Sequence, residues 1–179
     1  MEKKQSANER LRTDRLEFYE EDIEKIDKVL AEFLRLSGAK CALLVDKEGH
    51  LVTRKGELQN MNMDTISALV AGSFAATKEM ARLLGEEEFS ALFHQGSRDN
   101  IQLTLVGDRT LLTIIFDDKT TVGMVRLYSS ETAKKLSDVF TQTARRQASG
   151  EGPATVVKEG YHEGARDKLD AIFGTPRKE

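Results

Sequence analysis

Six residues in a row, Leu111, Leu112, Thr113, Ile114, Ile115 and Phe116, leave almost no polar side chain to turn toward water. Successive side chains of a strand point to opposite faces, so a strand of this composition must be covered on both. That requirement disfavours a one-sided sheet and asks for helices above and below it.

The rest of the chain supplies them. Ile23, Ile26, Leu30 and Phe33 recur at helical spacing, with Val29 and Leu34 widening the stripe. Glu20, Glu21 and Asp22 open this segment, where the helix dipole favours acids, and Gly38 follows it as a stop. The spacing predicts a first helix over 19–37. Apolar runs at 40–45 and 50–53 flank Asp46-Lys47-Glu48-Gly49, which predicts an antiparallel hairpin. Asp64 is a suitable N-cap for a second helix that runs to Leu84 and stops at Gly85.

A Glu86-Glu87-Glu88 stretch and a short segment through Phe89, Leu92 and Phe93 come next. Three strands are expected beyond it, at 101–105, 111–116 and 122–128, with turns at Gly107-Asp108 and at 117–120. A third helix opens near Ser129 or Ser130, with Leu136, Val139 and Phe140 as its stripe. The order α-β-β-α-β-β-β-α describes an α/β (α+β) sandwich. Its central five-stranded sheet is mostly antiparallel, with helices on both faces.

The ends differ from this middle. Nearly half of the charged residues lie before residue 26 or after residue 144, so the centre has the charge density of an ordinary globular domain. Residues 1–18 read as a flexible charged arm, 19–147 as the domain, and 148–160 as a linker containing Gly150, Gly152, Pro153 and Gly160. In 161–179, Ala165, Leu169, Ile172 and Phe173 fall on one side of a helix of barely three turns, which must dock on something to be stable.

With 27 basic against 30 acidic residues the net charge is −3, which argues against nucleic-acid binding through a basic surplus. No apolar run reaches the ~20 residues of a membrane span, and Met1-Glu2-Lys3-Lys4 is not the start of a signal peptide. A cytoplasmic protein is expected.

Catalytic chemistry is hard to find. There is no Gly-x-x-x-x-Gly-Lys-Ser/Thr loop and no Gly-x-Gly-x-x-Gly after a strand, so neither a nucleotide nor a dinucleotide cofactor is expected. His50, His94 and His162 have no ligand spacing, and the single Cys41 sits in an apolar strand where a thiol packs like a small hydrocarbon, so no metal is expected. Asp117 and Asp118 fit a polar turn without further function. We expect no enzyme activity. A small-ligand sensor is conceivable for a sandwich of this size, but no convergent polar cluster supports it.

The second helix carries more information. On a wheel of 100° per residue, Ile66, Leu69, Val70, Phe74, Met80, Ala81 and Leu84 gather on an expected core face. The opposite face should be long and charged, yet it holds Ala68, Ala71, Gly72 and Ala75 before Glu79 and Arg82. The alanines alone would suit any exposed helix. Gly72 does not, because an interior glycine costs ~1 kcal/mol and a solvated face gains nothing from it. Residues 68–79 are therefore expected to meet another protein. Ile101, Leu103 and Leu105 would lie on an edge strand, a template for pairing two protomers into an isologous dimer.

Together with this order of elements, several segments resemble the Roadblock/dynein light chain domain family. They are Leu44-Val45-Asp46-Lys47-Glu48-Gly49, Leu69-Val70-Ala71-Gly72, Leu83-Leu84-Gly85-Glu86-Glu87-Glu88-Phe89 and Phe93-His94-Gln95-Gly96. Ile114-Ile115-Phe116-Asp117 and Gly123-Met124-Val125-Arg126-Leu127 continue the match. The likeness covers about 19–145 and points to bacterial members that regulate a small Ras-like GTPase, MglA. It implies a homodimer whose paired second helices bind the GTP-bound GTPase through Ala68, Ala71, Gly72, Ala75, Glu79 and Arg82. Hydrolysis would be stimulated by repositioning the GTPase's own switch residues, without an arginine finger. Leu169, Ile172 and Phe173 would touch the GTPase away from its nucleotide and influence exchange. Such a regulator would serve cell polarity or motility and concentrate at a cell pole. The rival expectation is a Roadblock scaffold that dimerises and tethers partners without activating them.

Overall fold

The structure, a computed structural model, describes residues 18–57 and 61–149. Its elements are α1 (Glu20–Ser37), β1 (Cys41–Asp46), β2 (Leu51–Gly56), α2 (Met63–Leu83), β3 (Ala91–His94), β4 (Asn100–Val106), β5 (Thr110–Phe116) and α3 (Val122–Ala148). All strand pairs are antiparallel, and the sheet order is β2-β1-β5-β4-β3. The sequence run that demanded two covers is the middle strand, and every residue of β5 is buried.

Alternation along β1 and β5 divides the core. Ala42 and Leu44 with Leu112, Ile114 and Phe116 face one way, where Ile26, Leu30 and Phe33 of α1 and Val125, Leu136 and Phe140 of α3 cover them. Cys41, Leu43 and Val45 with Ile115 face the other way, as do Leu103 and Leu111, which lie under Val70 and Phe74 of α2. The α1 helix is also tied down at its flank. Asp27 accepts from the Thr53 hydroxyl at 2.7 Å and pairs with the Lys55 ammonium at 2.7 Å, both on β2. Its ends follow expectation: the Tyr19 backbone N–H donates to the Asp22 carboxylate, and Gly38 ends it at φ +70°.

The order of elements is as the sequence predicts, but two segments exchange roles. Residues 122–128, expected as a strand, form the first turns of α3. Thr121 caps them by accepting the Met124 N–H at 3.2 Å. Burial then falls on Val125, Ser129, Thr132, Leu136 and Phe140, a helical spacing in which Ser129 and Thr132 are polar and so invisible to an apolar count. The missing strand is Ala91–His94, which pairs with residues 101–104 of β4.

That pairing overturns a second expectation. Ile101, Leu103 and Leu105 do not lie on an edge, because β4 is hydrogen-bonded to β3 on one side and β5 on the other. The three side chains point beneath α2, and Leu103 is fully buried there. Among the described residues the edge strands are β2 and β3.

The β1–β2 turn backs directly onto α2. Gly49 adopts φ +93°, and a Cβ there would stand 2.9 Å from the Ala68 Cα. Only glycine satisfies both the left-handed backbone and this close approach. The compact unit continues to Ala144. A second unit begins at Arg145, and the structure describes its residues 145–149, which include the end of α3. The arm at 1–17 and the Leu169, Ile172 and Phe173 segment lie outside the described residues, as does His162.

Candidate functional site

Local chemistry fixes where α2 begins and ends. Its N-cap is Asn62, whose side-chain oxygen accepts the Thr65 N–H at 3.1 Å; Asp64, expected in that role, instead complements the dipole from the first turn. Arg82 occupies the last turn, and Gly85 follows at φ +83°. Ser67, Val70, Ala71 and Phe74 face the sheet, and the Phe74 ring packs on Phe89 at 5.0 Å between centroids.

This phase differs from the expected wheel. Leu69, Met80 and Leu84, assigned to the core face, are 67%, 60% and 81% exposed, and Leu83 is 73% exposed. Ala71, assigned to the outer face, is 6% exposed and belongs to the inner one. The small side chains of Ser67 and Ala71 sit between α2 and the sheet beside Val70 and Phe74, and Leu69, Met80 and Leu83 are left outside. Size alone misled the wheel. A better signal was present: Leu69, Gly72, Ala76, Met80 and Leu83 follow each other at steps of three and four, a second apolar seam on one helix.

Ala68, Gly72, Ala75, Glu79 and Arg82 flank or belong to this seam and are all exposed. Among the described residues a Cβ on Gly72 would meet nothing within 4 Å, so none of them requires glycine there. The Arg82 guanidinium clasps the Glu79 carboxylate, with Nη2 at 2.6 Å from Oε1 and Nε at 3.0 Å from both oxygens. This hydrogen bonding holds the Glu79 carboxyl below its ordinary pKa. The two charges answer each other and leave the seam electrically quiet. The seam leaves Leu69, Met80 and Leu83 exposed on one side of α2, with Gly72 among them.

The polar candidates are explained by the fold. The Lys40 ammonium donates to Asp99 at 2.7 Å and lies 3.8 Å from Asp117, joining the start of β1 to the loops before β4 and after β5. Asp117 also accepts the Lys119 N–H at 3.1 Å, the turn role expected of it. Cys41 is buried in β1, and burial pushes its thiol pKa up, away from the nucleophilic form. His50 meets Asp46 at 3.0 Å, and His94 ends β3. Among the described residues no group of three or more His, Cys, Asp and Glu side chains is arranged to hold a metal ion, and no helix is long and apolar enough to cross a membrane.

Comparison with known proteins agrees with the fold. The family model of the Roadblock/LC7 domain matches residues 25–116. Among solved structures, MglB of Myxococcus xanthus is 37% identical, with a TM-score of 0.63 over 66% of this chain and 96% of its own. The gliding protein MglB of Thermus thermophilus is 35% identical, with a TM-score of 0.65 over 71% of this chain and 96% of its own. An MglB in a tetrameric arrangement is 34% identical, with a TM-score of 0.66 over 72% of this chain and 96% of its own.

Proposed function

We propose that this chain, which belongs to the Roadblock/LC7 domain family, is a homodimeric regulator of a small Ras-like GTPase of the MglA kind. Its likeness to MglB structures supports a regulatory role over an enzymatic one. Two protomers join along the β3 edge, and their α2 helices form a platform for the GTP-bound partner. Hydrolysis is stimulated by repositioning the partner's own switch residues, with no arginine finger supplied from here. The segment carrying Leu169, Ile172 and Phe173 contacts the GTPase away from its nucleotide and modulates exchange. The setting is cell polarity or motility, with the protein cytoplasmic and concentrated at a cell pole.

The observation that carries this reading is the outer seam of α2, in which Gly72 has open space on its own chain. The test is multiple-turnover GTP hydrolysis by the partner GTPase with and without this protein. Gly72→Arg and Ala75→Arg are expected to abolish acceleration and binding while leaving the mass in light scattering that of a dimer. If wild-type protein binds without accelerating hydrolysis, the chain is a tethering scaffold. If binding survives both substitutions, α2 is the wrong surface.

A further inference from the structure

A groove of about 510 Å³ opens on the other side of the sheet, between the first half of α3 and the edge strand β3. Its floor is formed by Gln102 and Thr104, two residues apart on β4 and so on the same face. Gln102 is 2% exposed; its Nε2 donates to the Leu103 carbonyl at 3.4 Å, but its Oε1 has no partner among the described residues. The Thr104 hydroxyl is buried and unpartnered as well. Buried polar atoms in folded proteins are nearly always hydrogen-bonded, so two orphans side by side on one groove floor mark a place where a donor is missing.

The groove also has an apolar wall and a charged mouth. Phe93, directly opposite Gln102 across the β3–β4 pair, and Ala133 of α3 line it. Arg126 and Lys134 project from α3 at its rim and are exposed. The Arg126 guanidinium stands over the Phe93 ring at 5.9 Å, and among the described residues neither cation is paired with a carboxylate. Volume, apolar wall and a few convergent polar groups are the features of a small-molecule site.

We propose that this groove binds a small amphipathic carboxylate, a molecule with a flat apolar body, an anionic head and an N–H or O–H donor at the far end. The head meets Arg126 and Lys134, the body lies along Phe93 and Ala133, and a side-chain shift on the groove floor brings Gln102 Oε1 or the Thr104 hydroxyl, both covered in the unliganded chain, to the donor. The sequence hid this site because Arg126 belongs to a segment that reads as a strand, which would have separated it from Lys134. The site is distinct from the outer seam of α2, and it stands or falls independently of GTPase regulation.

The experiment titrates the full ¹⁵N-labelled chain with indole-3-acetate, 4-hydroxybenzoate and benzoate, with indole-3-acetamide as the neutral control. The expected result is saturable shifts at Phe93, Gln102, Thr104 and Ala133, with indole-3-acetate binding at least fivefold tighter than its amide. Gln102→Leu should weaken indole-3-acetate at least tenfold while leaving the folded spectrum elsewhere unchanged. Arg126→Ala should erase the preference for the acid over the amide. No shifts with any of the three acids at ~10 mM, a concentration that would reveal even very weak sites, would overturn the proposal and leave the orphans to trapped water. Shifts confined to α2, or unchanged binding by Gln102→Leu, would overturn it equally.

Discussion

The two faces of the sheet hold cores of different quality. Under α1 and α3 the buried residues form one continuous cluster that reaches from Ile26 to Phe140. Under α2 they fall into two smaller clusters, one around Cys41, Leu43 and Val45 and the other around Val70, Phe74, Leu103 and Leu111. The buried hydroxyls of Ser67 on α2 and Thr113 on β5 also lack partners. Meanwhile α2 leaves Leu69, Met80 and Leu83 exposed to solvent. One face is built to hold the domain together, and the other is built around a helix whose best apolar surface points outward. A helix that exposes apolar side chains has fewer with which to anchor itself.

Neighbouring leucines on β5 allow this contrast to be broken directly. Leu112 is buried under α1 and α3, and Leu111 is buried under α2. Leu→Ala at a buried site costs about 2–5 kcal/mol, depending on how far the surroundings can relax. Leu112→Ala is expected near 4–5 kcal/mol and Leu111→Ala near 2–3 kcal/mol in urea denaturation. Cys41, buried on the α2 side, supplies a second readout through its rate of reaction with a disulfide reagent. Leu111→Ala should speed that reaction in native buffer more than Leu112→Ala does, because it eases local opening of α2. Equal costs and equal rates would mean that the faces are equivalent.

A smaller effect sharpens the same contrast. Thr113→Val removes a buried hydroxyl that has no partner and keeps the side-chain shape. It is expected to stabilise the domain by about 1 kcal/mol, where most core substitutions destabilise. A loss of stability would show that the hydroxyl is bonded in solution.

The smallest effect lies at the rim, where Lys40 meets Asp99. The hydrogen bond from Lys40 holds the Asp99 carboxyl below its ordinary pKa, and that same bond to Asp99 holds the Lys40 ammonium above its own. The acid's contribution is therefore present above the ordinary aspartate value near pH 4 and lost as pH falls through the lowered one. The lysine's contribution is present below its ordinary value and lost as pH rises through the raised one. Both groups are exposed, so Asp99→Asn should flatten the acid limb of the stability profile only slightly and should lose its effect in high salt. Unchanged acid behaviour would make the pair decorative.

How much of this could be read from residues alone depended on what carried the signal. The β5 run was legible because both of its faces are apolar, and α1 because Ile26, Leu30 and Phe33 mark its phase with large side chains. The start of α3 was not, because its phase rests on Ser129 and Thr132, and Val122 and Val125 favour strands when read locally. β3 has four residues, too few for alternation to show. Gly72 marks the outer face of α2 in the sequence, but Leu69 and Met80 beside it read as inward-facing because the buried Ser67 and Ala71 look like surface residues. Gln102 and Thr104 read as the wet side of a strand, and only the placement of α3 over them makes them a floor.

The pairing of β1 with β5 has a further consequence, in the order of synthesis. Cys41 lies opposite Ile115 and Asp46 opposite Thr110, so the middle of the sheet joins a strand made early to one made much later. A ribosome adding ~5–20 residues per second leaves β1 with only β2 beside it for several seconds. The outward seam of α2 emerges during that interval, before β5 exists for the helix to settle upon. Nascent chains halted before residue 110 are thus the species in which this seam is most exposed to the wrong neighbour.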